Sequence, residues 1–167
     1  MIAVFANGVF DLLHPGHIHF LEEASLLGDH LHVGLNTDAS ARRLKGPGRP
    51  MWPLAERKRM LKALRCVYDV WPFEEDDPCA LVRSLRPKVL VKGQEYAPGG
   101  KPCPEAVVVE AYGGKVVYLP RRGDWSSSAY ARPVAAASGG VRVLVDIDIL
   151  PDKRDEFLAL ALMHQDA

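Results

Sequence analysis

Long apolar segments are missing from the sequence. No apolar run approaches the roughly 18 residues that a membrane-spanning helix requires, so we expect no membrane partner. The opening segment, MIAVFANGVFDLLHPGH, has neither a basic leader nor a small-residue cleavage site and does not resemble a signal peptide. Cysteine is also scarce. Cys66, Cys79 and Cys103 are scattered and odd in number, which favours reduced thiols in a cytoplasmic protein.

Net charge is missing as well, because 21 basic residues balance 21 acidic ones. A neutral chain is a poor general binder of nucleic acid, so no nucleic-acid partner is expected. The basic residues are nevertheless concentrated between Arg42 and Arg65, where only Glu56 opposes them. They are Arg42, Arg43, Lys45, Arg49, Arg57, Lys58, Arg59, Lys62 and Arg65. A local basic stretch of this kind suits a small polyanion such as a triphosphate.

The chain alternates short β-rich runs with helical segments. Its 167 residues are 48% hydrophobic and 25% charged, which is typical of a globular protein of about one domain. The predicted strands are Ile2–Ala6, His30–Leu35, Cys66–Val70, Lys88–Lys92 and Lys115–Leu119. The predicted helices are Gly16–Leu27, Leu54–Leu64, Pro78–Leu85 (capped by Asp76 or Asp77), Glu105–Tyr112 and Ser127–Ala136. Strands alternating with helices predict right-handed βαβ units on a parallel sheet, which is an α/β fold.

The last part of the chain differs from the rest. Residues 135–140 (AAASGG) are small and linker-like, so we expect a main domain over residues 1–134 and an extension over residues 141–167. Within the extension, Val141–Leu150 is strand-like and Lys153–Met163 is helical. A lone strand and helix cannot form a core, so we expect them to dock on the main domain or on a second subunit of a homodimer.

The segment from Asn7 to His17, NGVFDLLHPGH, carries the clearest chemical signal. A strand ends there, a glycine turn follows, and two histidines flank the start of a helix. Backbone N–H groups at a helix start form an anion site, and two imidazoles three residues apart can point at the same anion. Gly16 lets a phosphate approach the backbone closely. The segment therefore predicts a phosphate-binding site.

Two other interpretations of these histidines remain open from the spacing alone. His14 and His17 could simply cap the helix. Together with His19 they could also ligate zinc, but His19 would lie on another face of the helix and point away from the phosphates. No Cys or His partner lies at ligand spacing elsewhere. We therefore expect no protein-held metal.

The segment GVFDLLHPGHIHFLEEASLLGD resembles the HxGH nucleotidyltransferases, the cytidylyltransferase-like family. Three further segments, LNTDASARRLKGPGRP, FEEDDP and LRPKVLVKGQEY, resemble the bacterial heptose 1-phosphate adenylyltransferases within it. The resemblance runs from about Ile2 to Arg132. It implies a Rossmann-like, five-stranded parallel sheet of order 3-2-1-4-5 flanked by helices, to which this chain adds a C-terminal strand–helix unit.

The resemblance also implies a reaction, the transfer of AMP from ATP to a sugar 1-phosphate, similar to a heptose 1-phosphate, with release of pyrophosphate. Mg²⁺ would be brought by ATP. Two alternatives are a cytidylyltransferase that uses CTP and glycerol 3-phosphate or a similar small phosphate, and a nucleotide-binding module without catalysis.

The motifs further imply a set of site residues. The residues implied to be catalytic are His14, His17, Lys45 and Arg57, although Arg57 could equally be a solvated cation on a helix face. Those implied to bind the nucleotide are Gly8, Phe10, Gly16, His17, Lys92, Gly93, Arg121, Ser126, Ser127 and Ser128. Those implied to bind the acceptor are Asp11, Asn36, Asp38 and Arg49, with Asp38 also placed to cap a following helix.

This chain departs from the family pattern at several of the motifs. Asp124 stands where the family usually has Gly, and serines replace the threonines that follow it. Gln94 and Glu95 depart from the family's KGGDY, and Trp52 stands where the heptose enzymes usually have Asn. We expect these positions to affect specificity for the sugar or the base.

Overall fold

Five short strands form one parallel sheet. They are β1 (Ala3–Gly8), β2 (His30–Asn36), β3 (Asp69–Phe73), β4 (Val89–Gly93) and β5 (Lys115–Leu119). The computed structural model describes residues 1–121 and 123 of the chain. Their order in the sheet is β3-β2-β1-β4-β5, and every neighbouring pair is parallel. The predicted α/β fold and strand order are therefore confirmed.

The connections between the strands contain α1 (Pro15–Ser25), α2 (Asp38–Lys45), α3 (Leu54–Lys62), α4 (Cys79–Leu85) and α5 (Pro104–Ala111), with a 3₁₀ turn at Gln94–Tyr96. Helix α2 was not delimited from the sequence. Its cap is Thr37, whose Oγ1 accepts a hydrogen bond from the Ser40 backbone N, and Asp38 is its first residue rather than its cap. None of the described helices combines the length and the hydrophobicity that a membrane span requires.

The third strand begins later than predicted, at Asp69 instead of Cys66. It therefore contains Pro72, which cannot donate a backbone hydrogen bond. Proline is tolerated because β3 is an edge strand and has a neighbour on one side only. Helix α4 begins at Cys79, and its N-cap residue is Pro78 instead of the predicted Asp76 or Asp77. Asp77 lies one residue before the cap, and its Oδ1 accepts from the Cys79 backbone N at 2.9 Å.

The core lies on both faces of the sheet because successive strand residues point to opposite sides. On one face, Val4 and Val33 pack with Leu21 of α1 and Leu61 of α3. On the other face, Phe5 belongs to a second buried cluster that also holds Leu90, Val82, Ala106 and Val109. Fully burying one such large apolar side chain contributes about 1.5–3 kcal/mol.

The strand order reverses at β1, which pairs with β2 on one side and with β4 on the other. In open parallel sheets of this kind, ligands bind at the carboxyl ends of the strands beside such a switch point. The described residues all belong to one compact unit. The predicted linker at 135–140 and the strand–helix extension at 141–167 lie outside the described residues.

Candidate active site

A cavity of about 670 Å³ opens at the carboxyl edge of the sheet. The ends of β1, β2, β4 and β5 and the start of α1 contribute to its wall. Most of the predicted site residues line it, namely Gly8, Phe10, Asp11, His14, Gly16, His17, Asn36, Lys45, Arg49, Lys92, Gly93 and Arg121. Arg57 and Asp38 are not among the described lining residues, and Ser126, Ser127 and Ser128 lie outside the described part of the chain. The topology thus gathers four distant motifs at one edge.

His14 and His17 lie against each other at the start of α1. His14 is the N-cap residue, and its Nδ1 accepts a hydrogen bond from the His17 backbone N at 3.3 Å. The two rings are stacked, with centroids 3.7 Å apart and planes inclined by 19°. The first turn of the helix therefore presents two imidazoles beside the backbone N–H of Gly16, which is a suitable arrangement for an anion.

The electrostatic surroundings keep both imidazoles neutral at pH 7. Burial, and then the neighbouring His14, lower the pKa of His17 to about 4, and Lys45 and Arg121 act in the same direction. Burial and Arg121 also lower the pKa of His14. The Nδ1 atom of His17 is buried without a hydrogen-bond partner among the described residues. The backbone of Leu12 acts in the opposite direction on the pKa of His17, but burial dominates and disfavours a proton on this ring in the free protein.

Phe10 supports His17 from the loop after β1. Its backbone has a positive φ of 43°, which is uncommon for a bulky side chain, and only 5% of the residue is exposed. The Phe10 ring meets the His17 ring edge-on, with centroids 5.2 Å apart. A Cβ atom at Gly8 would lie 3.1 Å from the Phe10 ring. Gly8 therefore makes room for the ring that positions His17.

Asp11 and Arg49, both predicted to bind the acceptor, bind each other. Arg49 Nη1 lies 2.5 Å from Asp11 Oδ2, and the backbone N atoms of Met51 and Trp52 donate to Asp11 Oδ1. The carboxylate thus ties residues 49–52 to the end of β1. The acceptor substrate would therefore contact an ion pair, in which the charges of Asp11 and Arg49 offset each other.

Arg57 is fully buried instead of solvated on a helix face. Its guanidinium donates to the backbone O atoms of Trp52, Val9 and Asn36 at 2.7–2.9 Å, and to Asp38 Oδ1 at 2.7 Å. These acceptors belong to the loops after β1 and β2 and to the segment before α3. Arg57 therefore holds together the loops that form the cavity. Because Arg57 has no exposed surface, contact with a substrate would require these loops to move.

Lys92 is also buried, at the end of β4. Its Nζ lies 2.5 Å from Glu105 Oε1 at the start of α5, and 3.2 Å from Asn7 Oδ1 at the end of β1. It also lies 4.3 Å from the centroid of the Tyr96 ring. Asn7, Glu105 and Tyr96 line the cavity, yet sequence reasoning assigned them no role. Asn7 lies inside the histidine motif, but nothing in the sequence pairs it with Lys92.

The outer part of the cavity is partly acidic. Asp76, Asp77 and Glu95 line it, together with His19, which was expected to point away from the site. His19 Nδ1 lies 3.9 Å from Glu22 on the exposed side of α1. No group of three His, Cys, Asp or Glu side chains able to hold a metal ion occurs among the described residues. A zinc site built on His14, His17 and His19 therefore has no support there.

Comparison with known proteins gives the family. Residues 5–130 match the family model described as "Cytidylyltransferase-like". The chain belongs to this family. The resemblance to the HxGH nucleotidyltransferases is therefore confirmed, and the domain is a nucleotidyltransferase.

Among curated members, the chain is similar to two proteins named "Bifunctional protein HldE". It is 50% identical to that of Trichlorobacter lovleyi over 117 residues, which are 70% of this chain and 23% of the relative. It is also 50% identical to that of Streptomyces coelicolor over 139 residues, which are 83% of this chain and 29% of the relative. The chain therefore spans about a quarter of the length of these cytidylyltransferase-like relatives.

Solved structures show the same fold. The lipopolysaccharide core biosynthesis protein from Thermoplasma volcanium superposes with a TM-score of 0.59 at 30% identity, covering 73% of this chain and 97% of that protein. A protein of unknown function from Archaeoglobus fulgidus superposes with a TM-score of 0.55 at 20% identity, covering 71% and 89%. The similarity to the Archaeoglobus fulgidus protein supports the fold alone, because the identity is only 20%.

Proposed function

We propose that this domain transfers AMP from ATP to a sugar 1-phosphate, similar to a heptose 1-phosphate, with release of pyrophosphate. The observation that carries the proposal is the stacked pair His14 and His17 at the start of α1, inside a cavity that four basic side chains also line. Arg49 and Lys92 are paired with carboxylates, and the other two are Lys45 and Arg121. The similarity to bifunctional HldE proteins supports the sugar phosphate as acceptor.

The chemistry needs positioning and charge stabilisation rather than a covalent enzyme intermediate. An oxygen of the acceptor phosphate attacks the α-phosphorus of ATP, the bond from that phosphorus to the bridging oxygen breaks, and pyrophosphate leaves with the electron pair. Negative charge grows on the leaving group. Imidazoles and backbone N–H groups fixed in advance around that charge stabilise the transition state more than the ground state.

The neutral state of the histidines in the free protein fits this role. The pKa of His17 is low because the ring is buried beside other cations. A triphosphate placed there reverses the local charge, and nearby negative charge favours the protonated imidazole. His17 would therefore gain affinity for a proton when ATP arrives. The protonated ring would carry a positive charge and an N–H group at both nitrogens, of which Nδ1 is buried in the free protein.

The proposal assigns Mg²⁺ to the triphosphate. Mg²⁺ keeps several of its waters and is commonly bound through substrate phosphates and one or two carboxylates. Of the carboxylates that line the cavity, Glu105 is committed to Lys92, Asp76 pairs with Arg43 and Asp77 accepts from the Cys79 backbone N. Glu95 forms no ion pair with a described residue and would be the first candidate for such a contact. When bound, the metal ion would neutralise charge on the β- and γ-phosphates, and the basic side chains of the cavity would hold the rest.

A pyrophosphate-release assay with crossed substrates tests the proposal. ATP and CTP are each combined with D-glycero-D-manno-heptose 1-phosphate, mannose 1-phosphate and glycerol 3-phosphate, in Mg²⁺ buffer. Turnover with ATP and a sugar 1-phosphate is expected. Turnover confined to CTP and glycerol 3-phosphate would establish the alternative that the family description also fits. Nucleotide binding without turnover in any combination would indicate a module that lacks catalysis.

A further inference from the structure

Asn7 contributes to the cavity wall from the end of β1. Its side-chain Oδ1 accepts a hydrogen bond from Lys92 Nζ at 3.2 Å. An ammonium group only donates hydrogen bonds, so this contact determines which end of the carboxamide faces Lys92. The Nδ2 group consequently points away from Lys92, and no described residue hydrogen-bonds to it. Two N–H donors are thus left for a ligand in the cavity.

The group that orients Asn7 is itself held firmly. Lys92 Nζ lies 2.5 Å from Glu105 Oε1, and the side chains of Lys92 and Glu105 are only 7% and 3% exposed. The Tyr96 ring covers the ammonium from another side. Since Glu105 neutralises its charge, Lys92 contributes less as a free cation than as a fixed donor to Asn7. A buried ion pair is costly to form, and a role in setting a specific geometry accounts for its presence here.

Gly34 of β2 makes room for the Asn7 side chain. Asn7 lies opposite Gly34 in the sheet register, and a Cβ atom at Gly34 would lie 3.1 Å from the Asn7 Cβ. The carboxamide itself is oriented by its hydrogen bond from Lys92. A donor oriented in advance needs little reorganisation when a ligand arrives, which is the condition under which a single hydrogen bond is most effective.

We propose that Asn7 is a substrate-binding residue that donates a hydrogen bond from Nδ2 to a phosphate oxygen, oriented for this by Lys92 and Glu105. The cationic and imidazole groups of the same cavity concentrate phosphates there. The identity of the phosphate, on ATP or on the sugar 1-phosphate, rests on the proposed function. Both carry the same oxygen chemistry, and separate titrations distinguish them.

The decisive comparison is Asn7→Asp against Asn7→Ala. Aspartate has the same shape and still accepts from Lys92, but it replaces the donor with a negatively charged oxygen. Isothermal titration with inorganic triphosphate and with heptose 1-phosphate, each in Mg²⁺ buffer, is the measurement. We expect Asn7→Ala to weaken one or both ligands about 10-fold, and Asn7→Asp about 100-fold or more, because a lost donor becomes a repulsive acceptor. The added charge weakens anion binding by itself, so Asn7→Ala is the deciding arm: if Asn7 donates to no phosphate, Asn7→Ala will bind both ligands as the parent does, which overturns the proposal.

A second set of variants tests the positioning role of Lys92. The pair is removed together as Lys92→Met with Glu105→Leu, so that no buried charge is left unpaired. If Lys92 acts through Asn7, adding Asn7→Ala to this double variant should weaken triphosphate binding by no more than about two-fold further. Full additivity would mean that Lys92 binds the ligand directly and would overturn the positioning role. Lys88→Met, which removes an exposed cation directly before the first residue of β4, is the matched control and should bind as the parent does.

These titrations need no turnover. Absence of pyrophosphate release by the parent chain, with triphosphate binding that still depends on Asn7, would refute the proposed reaction and leave the Asn7 assignment standing. If the parent releases pyrophosphate and Asn7→Asp does so equally well, the Asn7 assignment is refuted and the proposed reaction stands.

Discussion

At the scale of single residues, the imidazoles of His14 and His17 are the groups whose replacement separates chemistry from folding. Replacing His17 by Ala should lower kcat about 10²–10³-fold, the usual size for one fixed donor to a developing anion. His14→Asn should do the same, although asparagine is a good N-cap and keeps the start of α1 stable. Steady-state kinetics and the melting temperature are the measurements. If capping were the only role, His14→Asn would retain the parent kcat.

His30 provides the matched control for these substitutions. It begins β2, at the opposite edge of the sheet from the cavity, and stacks on Tyr68 with ring centroids 4.0 Å apart. His30→Ala should leave kcat within about two-fold of the parent. A loss as large as that of His17→Ala would mean that histidine removal acts on kcat through the fold.

The low pKa of His17 predicts a loss of stability in acid. The folded ring has a pKa of about 4, against 6.5 when it is freely solvated. Between these values the unfolded chain binds a proton that the folded chain does not, so the free energy of unfolding falls as pH falls from about 6.5 to 4. The fall attributable to His17 is on the order of 3 kcal/mol. Asp69 and Asp77, whose pKa values are lowered from 3.8, act below this window.

Urea denaturation at pH 7 and at pH 4.5 measures this effect. The His17→Asn variant lacks the titrating group, so its stability should depend less steeply on pH than that of the parent. Saturating inorganic triphosphate should shift the pH at which half of the parent's loss in the free energy of unfolding has occurred, because the ligand favours the protonated ring. Identical pH dependence in the parent and in His17→Asn would show that the ring is not shielded from protons in the folded state.

Residues within one continuous motif could be predicted, whereas residues defined by the meeting of several segments could not. His14, Gly16 and His17 follow from a strand, a turn and a helix start in immediate succession. The burial of Arg57 depends on acceptors from three separate loops, and that of Lys92 on Glu105 and Asn7, which lie 13 and 85 positions away. No spacing in the sequence indicates such contacts.

At the scale of elements, the differences from prediction have local causes. Helix α2 contains three basic residues, and its buried positions are only Ser40 and Ala41, so the sequence lacks a clear apolar stripe there. The third strand was placed too early because Pro72 argues against a strand unless the edge position is known. The other four strands and helices α1, α3, α4 and α5 lie where apolar periodicity predicts them, with ends shifted by a few residues.

Strand β2 depends on the missing side chain at Gly34. A Cβ atom there would lie 2.6 Å from Cζ of Phe5, a ring with no exposed surface. Gly34→Ala should therefore lower the free energy of unfolding by about 1–3 kcal/mol, the usual cost of overpacking a core. Urea denaturation measures it.

Phe5→Leu gives the second arm of this test, because a smaller side chain at position 5 frees the space. In the Gly34→Ala, Phe5→Leu double variant, the loss should be smaller than the sum of the two single losses. Strict additivity would mean that the clash with Phe5 is not the cause.

At the scale of the whole molecule, the topology rather than any single motif creates the site. Parallel strands place all their carboxyl ends at one edge, and the reversal at β1 leaves a crevice between β1 and β4. The net charge of zero therefore describes the chain and not the arrangement of charge at the site. Cations from β4, from the chain after β5 and from the segment after β2 converge on one cavity, and acidic residues line the same cavity and pair with two of these cations, Arg49 and Lys92.

The same topology predicts that the fold and triphosphate binding are kept when the C-terminal extension is removed. The five strands of the described sheet and every described lining residue of the cavity precede residue 122, and the family match ends at residue 130. A chain ending at Val134 should therefore unfold cooperatively and bind inorganic triphosphate within about three-fold of the full chain. If residues 141–167 contribute to a homodimer, light scattering should give about twice the 18.4 kDa chain mass for the full protein and a monomer for the shortened one. A shortened chain that remains dimeric would place the interface within residues 1–134, and a monomeric full chain would refute the homodimer altogether.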